Sequence, residues 1–147
     1  MQLKQNTDYT LRILMYVARK KDIQVSSREI SDFYSISYSH VVKIVNKLGK
    51  LGYLDLKRGR YGGGITLAME PANIDIGTVV RQFETNLDVV ECFNLDTNTC
   101  SLVGGCKLKT IFEEALAAFF DSLAGKTLAD LLPIQTKGER TDENSTS

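Results

Sequence analysis

Histidine, proline and long apolar runs are scarce in this chain, and cysteine is absent outside one short segment. No stretch approaches the roughly 20 apolar residues that a membrane-spanning helix requires. The opening residues, Met1-Gln2-Leu3-Lys4-Gln5-Asn6, pass at once into patterned sequence, without the hydrophobic segment and cleavage site of an export signal. The expected location is therefore the cytoplasm. With His40 as the single histidine among 147 residues, a catalytic Cys-His pair has little to draw on. No metal-hydrolase motif or nucleophile elbow appears either, so an enzyme is not expected. Two prolines and 43% hydrophobic residues fit one compact domain, or a small domain with a helical extension.

Net charge is also missing, with 18 Lys and Arg balancing 18 Asp and Glu, but the balance is not local. Residues 1–61 carry twelve basic and five acidic side chains, a net +7, and residues 62–147 carry the opposite −7. A basic half joined to an acidic half reads as a polyanion-binding module coupled to a second task, against the alternative of chance asymmetry on a solvated surface.

Within the basic half, Leu11, Leu14, Met15 and Ala18 recur at helical spacing and predict an amphipathic first helix over Thr7–Arg19. Ser26 with Glu29 three residues on forms a capping-box pattern, starting a short second helix with Ile30 and Phe33 facing inward. After a turn at Ser35-Ile36, Ser37 can cap a third helix to about Lys50, buried along Val41, Ile44, Val45 and Leu48. Two short helices around a tight turn suggest a helix-turn-helix, whose second helix enters the major groove by its N-terminal residues. Tyr38, Ser39 and His40 can meet base edges, and Lys43 and Lys47 can reach bases or phosphates. An ordinary solvated helix face has the same pattern.

The segment that follows favours DNA. Tyr53-Leu54 begins one strand and Ile65-Thr66-Leu67 a returning one, and between them runs Lys57-Arg58-Gly59-Arg60-Tyr61-Gly62-Gly63-Gly64. Lys57, Arg58 and Arg60 on such a loop suit a wing that meets phosphates or the minor groove, with a plain flexible hairpin as the alternative. It is not a phosphate-binding P-loop, because the Lys-Ser/Thr ending and the following helix are absent. The expected fold is mainly α with a small β wing: a winged helix-turn-helix over residues 1–70, and a second region over 71–133.

In that second region, Asp75 can cap a helix carrying Ile76, Val79, Val80 and Phe83. Further on, Leu108, Ile111, Phe112, Ala115, Leu116, Phe119, Phe120 and Leu123 form a broad apolar face on a helix of about sixteen residues. Such a face calls for a symmetric homodimer, which sets two reading helices in successive major grooves, or for folding back over its own domain. Thr127 can cap a last turn with Leu128, Leu131 and Leu132. The polar stretch 134–147 is expected to be a disordered tail.

Cys92, Cys100 and Cys106 lie in the irregular stretch between these helices, with seven and five residues between successive thiols. Thiolates suit zinc, copper or iron–sulfur chemistry, and three leave one position of a four-ligand site to be filled. The absence of a Cys-x2-Cys pair argues against a zinc knuckle. Buried thiols, a local disulfide, and a metal-free or zinc-dependent redox regulator remain as alternatives, and a non-DNA interaction module is the alternative from another class.

Several motifs coincide with these features: Thr7-Asp8-Tyr9, His40-Val41-Val42-Lys43, Arg58-Gly59-Arg60-Tyr61-Gly62-Gly63-Gly64, Val90-Glu91-Cys92-Phe93, Asn98-Thr99-Cys100, Gly105-Cys106-Lys107-Leu108 and Thr127-Leu128-Ala129-Asp130-Leu131. Together they resemble the nitric-oxide-sensing repressors of the NsrR type, within the Rrf family of winged-helix iron–sulfur regulators, across residues 1–133. The resemblance implies a [4Fe–4S] cluster on Cys92, Cys100 and Cys106, with [2Fe–2S] as an alternative or degraded form. It implies Asp8 of the partner subunit as fourth ligand, although an acidic residue in a first helical turn also suits the helix dipole. It further implies a homodimer that releases its DNA operator when nitric oxide attacks the cluster. The related iron–sulfur-assembly regulators carry a histidine three positions after the last cysteine, where this chain has Lys109.

Overall fold

The computed structural model of the protein describes residues 1–59, 64–102 and 104–133. Arg60 and the rest of the wing loop to Gly63, and the tail 134–147, lie outside the described residues. The chain runs α1 (Gln5–Arg19), α2 (Ser27–Tyr34), α3 (Tyr38–Lys50), β1 (Leu54–Lys57), β2 (Gly64–Leu67), α4 (Ile76–Phe83) and α5 (Lys107–Leu123). Short 3-10 turns occur at Pro71–Asn73, Glu91–Phe93 and Leu128–Leu131. None of the described helices is long and apolar enough to cross a membrane.

Local chemistry sets the helix boundaries. Ser26 Oγ accepts from the Glu29 amide at 3.0 Å, Ser37 Oγ from the His40 amide at 3.4 Å, and Asp75 Oδ1 from the Thr78 amide at 2.8 Å. Each satisfies an amide that a helix start leaves unpaired. The box expected at Ser26 is only half formed, because the Glu29 carboxylate turns to the Tyr16 hydroxyl, 2.5 Å away, and ties α2 to α1. Burial and that carboxylate push the Tyr16 phenol up to about 12. Between α2 and α3, Ser35 adopts the left-handed conformation at φ 55°, and Ser31 closes the turn with its hydroxyl on the Ile36 carbonyl at 2.6 Å.

The core unites both halves of the chain. Val41, Ile44, Val45 and Leu48 of α3 are buried, as their spacing predicts. On α1 the inward face is rotated from the expected one: Ile13, Leu14, Val17 and Ala18 are buried together with Thr7 and Thr10, while Leu11 and Met15 are only partly covered. A threonine can take an interior position there because its hydroxyl is satisfied, Thr10 by the Asn6 carbonyl at 2.7 Å and Thr7 by Glu84. Phe33 does not face inward. It is 49% exposed and packs at a tilt on Tyr16 and edgewise on Tyr34, each 4.9 Å away between ring centres.

The two-stranded wing is antiparallel, with Leu54 opposite Leu67 and Lys57 opposite Gly64. Gly49 does not terminate α3, which runs on to Lys50; its missing side chain admits Leu56, whose Cδ1 would lie 2.8 Å from an added Cβ. Val25 extends the sheet by a single antiparallel bridge to Ile65.

On the other side of the core, α4 is anchored by Val79, Val80 and Phe83, all nearly inaccessible. Its Gly77 lets α5 approach at Leu123, and the Arg81 guanidinium lies 3.8 Å over the Phe120 ring. Asp75 joins the two helices by accepting from the Gly125 amide at 2.9 Å; the Thr78 and Gly125 amides hold its carboxyl below the usual range. Folding back over the domain is limited to the carboxyl end of α5. Of its expected apolar face only Phe120 is buried, whereas Leu108 and Ile111 are 53% and 58% exposed.

These burials predict a contrast between two phenylalanines. Phe83→Ala should cost about 3–5 kcal/mol, as core aromatic truncations do, and Phe33→Ala about 1 kcal/mol, the worth of edgewise aromatic packing. Urea unfolding at unchanged slope measures both; equal losses would show that Phe33 belongs to the core.

Candidate nucleic-acid interface and thiol site

The amino-terminal turn of α3 presents Tyr38 and Ser39 to solvent, and Lys43 follows one turn later on the same exposed side. Tyr38 is not free to swing, because the Arg28 guanidinium of α2 stacks over its ring at 4.1 Å. His40 is partly buried: a 3.2 Å hydrogen bond joins its Nε2 to Asn6 Oδ1, and its ring meets Tyr9 edgewise at 5.1 Å. Lys47 lies one turn beyond Lys43 along the same depression, where its Nζ donates to the Gln82 carbonyl at 3.2 Å and rests 4.2 Å over the Phe83 ring. Lys57 and Arg58 are exposed at the end of β1, leading toward Arg60 outside the described residues. The structure thus brings Ser39, His40, Lys43 and Lys47 to one depression beside the exposed Tyr38, with His40 also tied to α1 and Lys47 to α4.

A second set of contacts gathers at the start of α1. Lys4 caps the helix without a side-chain bond of its own. The cap comes from the end of α4, where Glu84 Oε2 accepts from the Lys4 amide at 3.0 Å and from the Thr7 hydroxyl at 2.8 Å. A carboxylate is well placed there, since unpaired amides and the helix dipole both favour negative charge at an N-terminus. Lys4 Nζ also donates to Thr85 Oγ1 at 2.6 Å. The first turns of α1 therefore touch the reading helix through Asn6 and Tyr9, and the stem of the thiol segment through Lys4 and Thr7.

Asp8 lies on the outer side of these turns, in an open depression of about 450 Å³ that Gln2, Gln5 and Arg12 also line. Its carboxylate pairs with Arg12, Oδ2 to Nη2 at 2.7 Å and Oδ1 to Nε at 3.2 Å. The pair is half exposed and one turn apart, a geometry worth only about 0.5 kcal/mol. Asp8 can therefore exchange this partner for another at small cost.

The three thiols sit in the segment between α4 and α5. Cys92 lies in the turn Glu91–Phe93, Cys100 is exposed in irregular backbone, and Cys106 is the N-cap residue of α5 without a side-chain capping bond. All three are free of disulfides. Among the described residues no three His, Cys, Asp or Glu side chains of the protomer converge on one metal position. The donor set nevertheless fits an iron–sulfur group in its chemistry: three unpaired thiols on backbone that few other elements hold. Glu91 Oε1 accepts from both the amide and the hydroxyl of Thr99 at 2.7 Å, and these bonds hold its carboxyl below the usual range. Lys109 pairs with Glu113 at 3.5 Å, one turn along α5.

Glu84, Asn6 and Arg28 were not among the residues expected from sequence. A signal existed for Glu84 alone: an acidic residue at the carboxyl end of a helix opposes that helix's dipole and calls for an outside partner. The others reveal their roles only through partners distant in sequence.

Residues 3–133 match the family of Rrf2, iron-dependent transcriptional regulators. The chain is 49% identical over 133 residues to the HTH-type transcriptional regulator NsrR of Shouchella clausii, covering 90% of this chain and 89% of the relative. It is 43% identical to the regulator of that name from Bacillus subtilis, covering 90% of each. Among solved structures, CymR, the global cysteine regulator of B. subtilis, superposes with a TM-score of 0.73 at 24% identity, over 92% of this chain and 99% of that one. IscR of T. potens superposes at 0.69 and 23% identity, over 90% and 86%. Both share the winged-helix fold, and the relatives are regulators rather than enzymes.

The Glu84 cap leads to an unequal pair of outcomes. Glu84→Ala should lower stability by about 2–3 kcal/mol, since it strands bonds made to a buried charge, and should speed hydrogen exchange at the Lys4 amide. Asp8→Ala should cost about 0.5 kcal/mol or less. Denaturant unfolding of the two variants checks this, and the reverse order would remove Glu84 as the anchor of α1.

Proposed function

The chain belongs to the Rrf2 family of iron-dependent transcriptional regulators, and on that premise we propose that it is a dimeric, DNA-binding repressor in the cytoplasm that senses nitric oxide through an iron–sulfur cluster. Residues 1–70 read the operator, and residues 71–133 hold the cluster and join the subunits. The observation that carries this reading is the start of α1, which touches both His40 of the reading helix and the Glu84-Thr85 stem of the thiol segment.

Cys92, Cys100 and Cys106 would hold a [4Fe–4S] cluster, with Asp8 of the partner subunit as fourth ligand. When bound, the cluster supplies iron at which nitric oxide reacts, most openly where a carboxylate replaces a thiolate. The remaining work belongs to the chain. Asp8, held only by Arg12 within the protomer, would be the residue that ties α1 of one subunit to the thiol segment of the other. His40 and Asn6 carry that constraint to α3, and Lys47 on Phe83 keeps α3 in register with α4. Without that tie, the spacing of the two reading helices would be less constrained. This is coupling between two sites through a two-state assembly.

On DNA, Tyr38 and Ser39 meet base edges, Lys43 meets bases or phosphates, and Lys57, Arg58 and Arg60 bring the wing to the backbone or minor groove. His40 orients the start of α3 from its side. The exposed Leu108 and Ile111 on α5 support pairing of two copies along that helix. A cluster-free thiol or zinc regulator is the second reading, favoured by the exposure of Cys100; iron and sulfide analysis of anaerobically purified protein separates the two.

Anaerobic titration of an operator-length duplex at fixed salt should give about tenfold or greater tightening in the cluster-loaded dimer over the apo dimer, the usual scale of such coupling. Equal affinities would end the switching mechanism. Lys43→Ala and Arg58→Ala should weaken binding, while Arg60→Ala should chiefly reduce the salt slope, by about 1. Normal binding by all three would mean that DNA contacts a different face.

A further inference from the structure

Thr99 directly precedes Cys100, and Glu91 directly precedes Cys92. The two 2.7 Å hydrogen bonds from the Thr99 amide and hydroxyl to Glu91 Oε1 therefore close the chain into a loop between the residues immediately before the first two thiols. The partners lie eight positions apart in sequence, the widest sequence gap bridged by a hydrogen bond within the segment among the described residues. Asn98 stiffens the same point: its Nδ2 donates to the Cys100 carbonyl at 3.0 Å, and its Oδ1 accepts from the Cys100 amide at 3.2 Å. No thiol takes part in this closure, and no metal is needed for it.

We propose that Glu91 and Thr99 are positioning residues of the thiol site, a clasp that sets Cys92 and Cys100 in place before iron arrives. The proposal rests on the reading of the three thiols as cluster ligands. Closing a loop costs chain entropy whenever it occurs; a loop already closed by Glu91 and Thr99 leaves that much less ordering to accompany ligation. The clasp also turns Glu91 Oε1, a hard oxygen donor beside Cys92, toward Thr99. The donor pattern is specific, because one oxygen takes both an amide and a hydroxyl. Serine can replace threonine, and valine cannot.

The test uses the full chain and the variants Thr99→Val, Thr99→Ser, Glu91→Ala and Glu91→Gln. After anaerobic loading with ferrous iron and sulfide, visible absorption and circular dichroism follow retention of the cluster against a chelator. Thr99→Val and Glu91→Ala should retain it about tenfold less well, the scale of lost support behind metal ligands, while Thr99→Ser and Glu91→Gln recover most of the difference. In the apo protein, a short bifunctional thiol reagent should crosslink Cys92 to Cys100 several-fold faster in wild type and Thr99→Ser than in Thr99→Val. If wild type takes up no cluster, the ligand reading fails, and the crosslinking rates still decide the clasp. Equal crosslinking rates in all variants, or equal retention in a wild type that does load, overturn it.

Discussion

The buried carboxylate of Glu84 at the amino end of α1 is the contact on which the arrangement of the two halves depends. It caps a helix that lacks its own capping side chain, and it does so from the far end of α4, eighty residues away from Lys4. Because α1 also packs on α3, β2, α4 and the turn Leu128–Leu131, fixing its first turn fixes the common wall of the core. The basic half and the acidic half share one hydrophobic cluster across that wall. The thiol stem at Glu84 and Thr85 is thereby bonded directly to the first turn of that wall.

The charge asymmetry of the chain acquires a different meaning once partners are known. A net +7 over residues 1–61 describes a field that draws polyanions, but several of those cations are engaged within the fold. Lys4 donates to Thr85, Arg12 pairs with Asp8, Arg28 covers Tyr38 and Lys47 rests on Phe83. Such groups still contribute to long-range attraction while having fewer donors to spare for phosphates. Tyr38, Ser39 and Lys43 stay exposed at the start of α3.

Periodicity made the buried stripes of α3 and α4 legible, and Ser26, Ser37 and Asp75 marked helix starts correctly, because these features depend on neighbours within one turn. The face of α1 was harder to read. Thr7 and Thr10 occupy interior positions that a hydrophobic pattern assigns elsewhere, and only their hydroxyl partners explain the placement. Phe33 differs for a related reason: an aromatic ring at helical spacing with Ile30 lies on the rim of the core, half-exposed against Tyr16 and Tyr34, instead of within it. At the candidate site the thiols stood out by their rarity. Glu84, Asn6 and the Glu91–Thr99 pair did not, since a polar side chain that bonds across eight to eighty residues leaves no local pattern.

The apolar side of α5 has a thermodynamic consequence of its own. A helix that keeps Leu108 and Ile111 in water gains folding free energy from whatever covers it, and such gains grow with the concentration of the covering molecule. The midpoint of unfolding is then a property of the solution as much as of the chain. Were a second copy of the chain the cover, dilution alone would lower that midpoint, and an assay at nanomolar protein would examine a less stable molecule than the one in a concentrated sample.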